Sequence, residues 1–120
     1  MPFPCPCGLP APYAECCGRF HHGEATAPTA EALMRSRYSA FAVGDLDHLH
    51  ATWDPATRPR RVTADPGTTW TALEVLGRTG GGLLDAEGTV EFRAHHTGGV
   101  VAEHSRFRRE AGRWLYVGPV

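Results

Sequence analysis

The stretch GTVEFRAHHTGGVVAEHSRFRREAGRWLYVG, residues 88–118, decides the fold class. Its β-branched and aromatic residues alternate with charged ones, which is typical of antiparallel strands with one buried face. Glycines at 98–99 and 112 divide it into three segments, as hairpin turns require. A further β-rich segment, TTWTALEVLG at 68–77, precedes it across the glycine run 80–82. The pattern predicts a four-stranded β-meander.

Two helical patterns come before these strands. Residues 29–44, TAEALMRSRYSAFAVG, begin with Thr29 as a capping residue and end at Gly44. Residues 45–55, DLDHLHATWDP, predict a second, shorter helix that Asp45 caps. The first helix carries an apolar stripe, formed by Ala30, Leu33, Met34, Tyr38 and Phe41. Helices followed by an antiparallel sheet predict an α+β fold.

Composition narrows the class of protein. The 120 residues are 42% hydrophobic with a formal net charge of −1, which fits one globular domain with a small appendage. Near-zero charge gives no general attraction to nucleic acid or membrane. No basic leader and no apolar run of membrane-spanning length is visible, so we expect a cytoplasmic protein. The arginines at 58, 60 and 61 lack interleaved aromatics, which disfavours nucleic-acid binding.

All four cysteines lie in CPCGLPAPYAECCG, residues 5–18. Four thiolates around one tetrahedral ion form a standard structural zinc site, and reducing compartments favour a metal over disulfides. Reduced cysteines, a disulfide pair, a redox thiol and an iron–sulfur site remain alternatives. A closed site has no open coordination position, so the expected role of the metal is in folding. His21 and His22 are close enough to be alternative ligands, although a solvated turn is their expected role.

The pattern CPCG…Y…CCG resembles the SEC-C motif, the zinc-binding tail of the SecA translocation ATPase and of many small bacterial proteins. The resemblance implies a zinc knuckle over residues 1–25, with four ligands: Cys5, Cys7, Cys16 and Cys17. Tyr13 matches the aromatic position of the motif. The segment LPAPYAE replaces the basic Gly-Lys-Lys run of the motif, so the resemblance implies the metal site but not a basic docking surface.

Residues 16–55 and 103–118 resemble the YchJ family, small bacterial proteins of uncharacterised function. That family joins the zinc motif to a nuclear-transport-factor-2-like domain, a cone of helices packed into a curved antiparallel sheet. The resemblance implies that residues 26–120 form such a cone. Because this fold hosts isomerases, dehydratases, hydrolases and pure binding domains, it fixes no chemistry. A homodimer is a further implication of the fold analogy.

An enzyme of this fold needs an acid or base inside the cone. The candidates are His48, Asp54, Glu91, His96 and Glu103, and no general motif identifies a catalytic pair among them. Strand alternation turns Glu103 and His96 inward. Arg37 lies in the apolar stripe of the first helix and needs a partner there, so we expect an Arg37–Glu103 ion pair inside the cone, completed by Ser105 or Tyr38. The predicted pocket residues are Arg37, Trp53, His96, Glu103 and Ser105.

Two classes of function follow from these features. The first is a zinc-stabilised binding or adaptor protein whose knuckle docks a protein partner, by analogy with the SecA tail, which contacts a chaperone and the ribosome. The second is a small-molecule binder, or an enzyme with isomerase- or hydrolase-like acid–base chemistry, that uses the interior of the cone. A filled cone favours the adaptor, and an open pocket flanked by Glu103 and His96 favours the second class.

Overall fold

The structure is a computed structural model that describes residues 3–120. Short helical segments at the N-terminus are followed by two helices and then by four strands, in the order that the sequence predicts. The elements are a 3-10 turn at Tyr13–Glu15, α1 at Cys17–His21, α2 at Ala30–Val43, α3 at Leu46–Ala51, β1 at Trp70–Gly80, β2 at Glu87–His96, β3 at Gly99–Glu110 and β4 at Arg113–Pro119.

The strands form one antiparallel sheet in the order β1-β2-β3-β4, which confirms the α+β class. Register shifts interrupt the β1–β2 pairing twice and the β3–β4 pairing once. Bulges of this kind bend and twist a strand, so they curve the sheet around α2. Across β2 and β3, Val90 lies opposite Ser105 and Phe92 opposite Glu103. The predicted inward faces of these two strands therefore meet.

Helix α2 packs against the concave side of the sheet and has the predicted ends. The Thr29 hydroxyl accepts a hydrogen bond from the Ala32 amide at 3.0 Å, and Gly44 closes the helix in a left-handed conformation. The buried face of α2 packs on β1, β2 and β4, in a core that contains Leu33, Met34, Val90, Phe107 and Trp114. No helix of the described chain is long and apolar enough to cross a membrane.

The cysteine segment packs against the same helix from the other side. The four cysteines form a second buried cluster with Tyr38 of α2 and Ala94 of β2. Arg35 Nη1 donates a hydrogen bond to the Cys7 carbonyl at 2.8 Å. Residues 1–2 of the predicted knuckle lie outside the described residues. The described part of the knuckle is therefore built into the domain surface along α2.

Candidate metal centre and cone cavity

The four cysteines converge on one point. Their sulfur atoms all lie within 4.8 Å of one another, and all four residues are buried. Cys7 Sγ and Cys16 Sγ are 3.7 Å apart. A tetrahedral zinc ion with Zn–S bonds of about 2.3 Å needs sulfurs about 3.8 Å apart, whereas a disulfide needs about 2.05 Å. The cysteines are free, and their spacing fits a tetrahedral ion.

Local backbone geometry brings the two cysteine pairs together. The Cys5 amide donates to the Ala11 carbonyl at 3.0 Å, which folds the chain into a loop after the first pair. Gly8 has a φ of +91°, a conformation that favours glycine. At Gly18 a Cβ atom would lie 2.7 Å from the Tyr13 carbonyl oxygen, so only glycine lets α1 approach the 3-10 turn this closely. The backbone conformation at Gly8 and the close contact at Gly18 explain why a glycine follows each cysteine pair.

The donor chemistry of the cluster fits a soft divalent cation. Hydrogen bonds with Cys5 and Cys7, together with burial, raise the pKa of Cys17, and burial raises the pKa of Cys16 to about 12. Hydrogen bonds with Cys17 and Cys7 lower the pKa of Cys5, but Cys16 and Cys17 resist ionisation by themselves. A cation at their centre reverses this, because a coordinating thiol is deprotonated outright. The Ser39 hydroxyl lies 3.5 Å from Cys5 Sγ, as an outer hydrogen-bond partner of the cluster.

The side chains of His21, which was expected in a solvated turn, and of His48, an acid–base candidate, are both buried. The His21 side chain has no exposed surface; its ring contacts the Tyr13 hydroxyl through Nδ1 and the Ser36 carbonyl through Nε2 at 2.8 Å. His48 is 8% exposed, and its Nε2 lies 2.9 Å from the Ser36 hydroxyl. Burial lowers the pKa of His48 to about 4, with a smaller contribution from His21. His22 is exposed, as predicted.

The apolar pattern alone does not single out His48. It assigns Leu49 to the buried face of α3, but consecutive residues on a helix do not face the same way, so the burial of His48 depends on the packing of α3 against α2. The burial of His21 depends on the docking of α1 against α2, which the spacing of residues along the chain does not reveal.

A cavity of about 270 Å³ opens inside the cone. Four of the five predicted pocket residues lie on its wall: Arg37, Trp53, Glu103 and Ser105. Tyr116 of β4 also lines the cavity, although it was not among the predicted pocket residues. The remaining wall is mainly aromatic and apolar, and includes Met34, Tyr38, Phe41, Trp70, Phe92 and Phe107.

The other acid–base candidates lie elsewhere. His96, at the end of β2, stacks edge-on against Trp70 with ring centroids 5.2 Å apart, and its Nδ1 accepts the Gly98 amide at 3.1 Å. It is absent from the cavity wall because the pairing of β1 with β2 covers it with the Trp70 ring. Asp54 forms a bidentate pair with Arg108, and Glu91 is exposed.

Arg37 is buried at the cavity, but the predicted ion pair with Glu103 is wrong. Among residues 3–120, no contact within 4 Å joins the two charged groups. Arg37 Nη1 donates to the Leu49 carbonyl at 2.9 Å and to the Thr52 hydroxyl at 2.8 Å. Its guanidinium carbon also lies 4.9 Å from the centroid of the Trp53 ring and 4.5 Å from that of Tyr116. Two oxygens at the C-terminal end of α3 and two aromatic ring faces thus contact the guanidinium in place of the predicted Glu103 carboxylate.

Glu103 has its own partners. Its Oε1 accepts hydrogen bonds from the Ser105 and Tyr116 hydroxyls, each at 2.8 Å. Burial and the adjacent Glu103 together raise the pKa of Tyr116 to about 12. Burial lowers the pKa of Arg37 to about 10, which leaves the guanidinium protonated at neutral pH. The cavity wall therefore carries one cation, the Arg37 guanidinium over the Tyr116 ring, and one carboxylate, that of Glu103 at the Tyr116 hydroxyl.

The comparisons with known proteins agree with this architecture. Residues 29–119 match the family model described as YchJ, middle NTF2-like domain. The chain belongs to the YchJ family. A UPF0225 protein of Streptomyces coelicolor is 56% identical over 113 residues, which cover 94% of this YchJ-family chain and 91% of that relative. A UPF0225 protein of Cupriavidus metallidurans is 51% identical over an alignment of 126 positions, which covers 97% of this chain and 87% of that relative.

Solved structures resemble the whole YchJ-family chain, including the knuckle. The solution structure of a SEC-C motif containing protein from Rhodopseudomonas palustris has a TM-score of 0.83 at 34% identity and covers 98% of each chain. The crystal structure of a SEC-C motif containing protein from Psychrobacter arcticus has a TM-score of 0.76 at 29% identity, over 98% of this chain and 81% of that one. The fold is thus a nuclear-transport-factor-2-like domain with an N-terminal four-cysteine cluster suited to a metal ion.

Proposed function

We propose that this chain is a small-molecule-binding protein in which the cone holds the ligand and a structural zinc ion fixes the knuckle along α2. The observation that carries the proposal is the open cavity of about 270 Å³ at the centre of the cone. Protein interiors are normally close-packed, so an open space that borders a buried cation is better explained as a binding site than as filled core.

The chemistry of the wall favours binding over acid–base catalysis. Histidine is the most frequent general acid–base residue, and no histidine is among the lining residues in the described chain. The pKa values of Tyr38 and Tyr116 are both raised by burial, so these phenols stay protonated at neutral pH. Glu103 already accepts two hydrogen bonds through Oε1. The wall is thus arranged to orient a ligand.

The binding function is tested by closing the cavity from its rim. Val101 lines the cavity and is 41% exposed, so Val101→Trp should place an indole in the opening. The adjacent Val100 is 51% exposed and faces the other side of β3, so Val100→Trp is a matched control. Small aromatic probes, titrated by amide chemical shifts, should bind wild type and Val100→Trp but not Val101→Trp. Equal binding by all three proteins would contradict the proposal.

The identity of the metal is the second part of the proposal. Four buried thiols at tetrahedral spacing are a zinc donor set, and the similar solved structures are named for the SEC-C motif. Free thiols in such a cluster persist in a reducing compartment, which supports a cytoplasmic location. Elemental analysis of the purified protein should find about one zinc per chain. Protein without metal and with two disulfides would contradict this part.

A protein-docking role for the knuckle is a second candidate. One side of the knuckle is used against α2, but Phe3 and Leu9 expose 51% and 41% of their surfaces. Sedimentation of the protein in cell extract should show a complex that Phe3→Ala/Leu9→Ala loses and Val101→Trp retains. Sedimentation of the purified protein tests the homodimer that the fold analogy implies.

A further inference from the structure

One edge of the Arg37 guanidinium is left without a partner. Nη1 makes both hydrogen bonds of this side chain, to the Leu49 carbonyl and the Thr52 hydroxyl. Within residues 3–120, Nε and Nη2 have no hydrogen-bond acceptor. Every fully buried side-chain nitrogen or oxygen in this part of the chain has a partner, so these two atoms are not fully buried. Nε and Nη2 therefore reach open space. Because Arg37 is only 6% exposed and lines the cavity, that space is the cavity.

The free edge is the one that binds carboxylates. Nε and Nη2 of an arginine present two parallel N–H groups, which match the two oxygens of a carboxylate. Arg108 shows this arrangement in the same protein: its Nε and Nη2 donate to the two oxygens of Asp54 at 2.6 and 3.1 Å. The rings of Trp53 and Tyr116 hold the Arg37 guanidinium in place, so little conformational entropy opposes a bidentate contact.

Glu103 supplies a complementary group in the same cavity. Its Oε1 accepts from Ser105 and Tyr116, whereas Oε2 has no donor among the described residues. A ligand that carries only a carboxylate would meet repulsion from this side chain. A ligand that also has a hydroxyl or ammonium group would donate to Oε2 and turn the repulsion into a hydrogen bond.

We propose that the cone binds a small carboxylic acid with an apolar body and a hydrogen-bond donor next to the carboxylate, as in aromatic hydroxy acids and amino acids. The carboxylate takes the Nε–Nη2 edge of Arg37, the donor takes Glu103 Oε2, and the body packs against Trp70, Phe92 and Phe107. The cavity is slightly smaller than the range of about 300–1,000 Å³ for drug-sized ligands, which limits the ligand to a compact acid. This inference rests on the proposed binding function.

Three matched probes test the proposal on the wild-type protein. 3-Phenyllactate has both polar groups, 3-phenylpropionate lacks the hydroxyl, and 3-phenylpropane-1,2-diol lacks the carboxylate. Calorimetry should rank 3-phenyllactate first, with the diol weaker by at least about tenfold, as loss of a charged hydrogen bond implies. A diol that binds as tightly as both acids overturns the acid inference and leaves a binding cone in place. No binding by any of the three overturns both proposals.

Variants then assign the two contacts. Arg37→Met should remove the preference for acids over the diol, and Arg37→Lys, which keeps a charge but loses the fork, should restore only part of it. Glu103→Gln should tighten 3-phenylpropionate and erase the advantage of 3-phenyllactate over it. Unchanged probe ranking in folded Glu103→Gln would overturn the role of Glu103. If Arg37→Met fails to fold, Arg37→Lys and the wild-type ranking still decide the role of Arg37.

Discussion

Mild acid should destabilise the protein through His48. Burial holds the pKa of its imidazole at about 4, against an ordinary value of 6.5 in the unfolded chain. Between these two values the unfolded state binds the proton and the folded state does not, so stability is lost as pH falls from 6.5 toward 4. His21 and Arg37 oppose protonation of His48, and Asp45 favours it.

The size of the effect follows from the two pKa values. A shift of one pKa unit corresponds to about 1.36 kcal/mol, so lowering the pH from 7 to 4.5 should cost about 2 kcal/mol of unfolding free energy through His48 alone. Metal binding by the cysteine cluster would also depend on pH, because the ligand thiols must be deprotonated. The effect must therefore be measured as a difference between the wild type and a variant without the imidazole.

His48→Gln is a suitable variant because its amide can still bond the Ser36 hydroxyl. We expect urea unfolding to show that the stability of wild type relative to His48→Gln falls by about 2 kcal/mol between pH 7 and 4.5. His50 lies on the same helix and is exposed, so His50→Gln should show a far smaller change. A stability difference between wild type and His48→Gln that does not depend on pH would show that His48 titrates alike in the folded and unfolded chains.

Three further predictions concern the knuckle and the ion pair beside the cone. Cys16→Ser should lose zinc and speed amide hydrogen exchange in residues 3–25 far more than in β3. An equal increase in exchange rate in both regions would show that knuckle and cone unfold together. Gly18→Ala should lower the thermal midpoint and the zinc affinity, because its Cβ would meet the Tyr13 carbonyl oxygen at 2.7 Å; wild-type values would contradict this packing. Asp54→Asn should lower the thermal midpoint by breaking the bidentate contact to Arg108, and Asp47→Asn, a surface change, should leave it unchanged.

Local signals were sufficient for the fold. The caps at Thr29 and Asp45 and the glycines between strands act within a few residues, so the sequence predicts where α2 and α3 begin and the order of the strands. The ends are less well predicted, because α3 ends at Ala51 and β1 continues to Gly80. Strand alternation also placed Glu103 and Ser105 on the inner face. The cysteine spacing predicted a compact four-sulfur cluster for the same reason, since all its members lie within 13 residues.

Helix caps, turn glycines and strand alternation did not predict the contacts between helices and strands. The partners of Arg37 are the Leu49 carbonyl and two aromatic rings, and they depend on how α3 and β4 pack across α2. Residue type shows that a buried arginine needs acceptors, but it does not show that a backbone carbonyl supplies one. His96 was assigned inward by alternation, but the β1 strand covers it with Trp70 at the edge of the sheet.

The proposed binding function requires that the cone hold a ligand between Arg37 and the aromatic wall. Isotope-filtered NMR of ¹³C,¹⁵N-labelled protein with unlabelled 3-phenyllactate measures this directly. We expect nuclear Overhauser effects from the phenyl protons of the probe to Phe92 and Trp70, and a shift of the Arg37 Nε–H resonance on binding. Contacts confined to the outer face of the sheet or to the knuckle, with the Arg37 resonance unmoved, would contradict it.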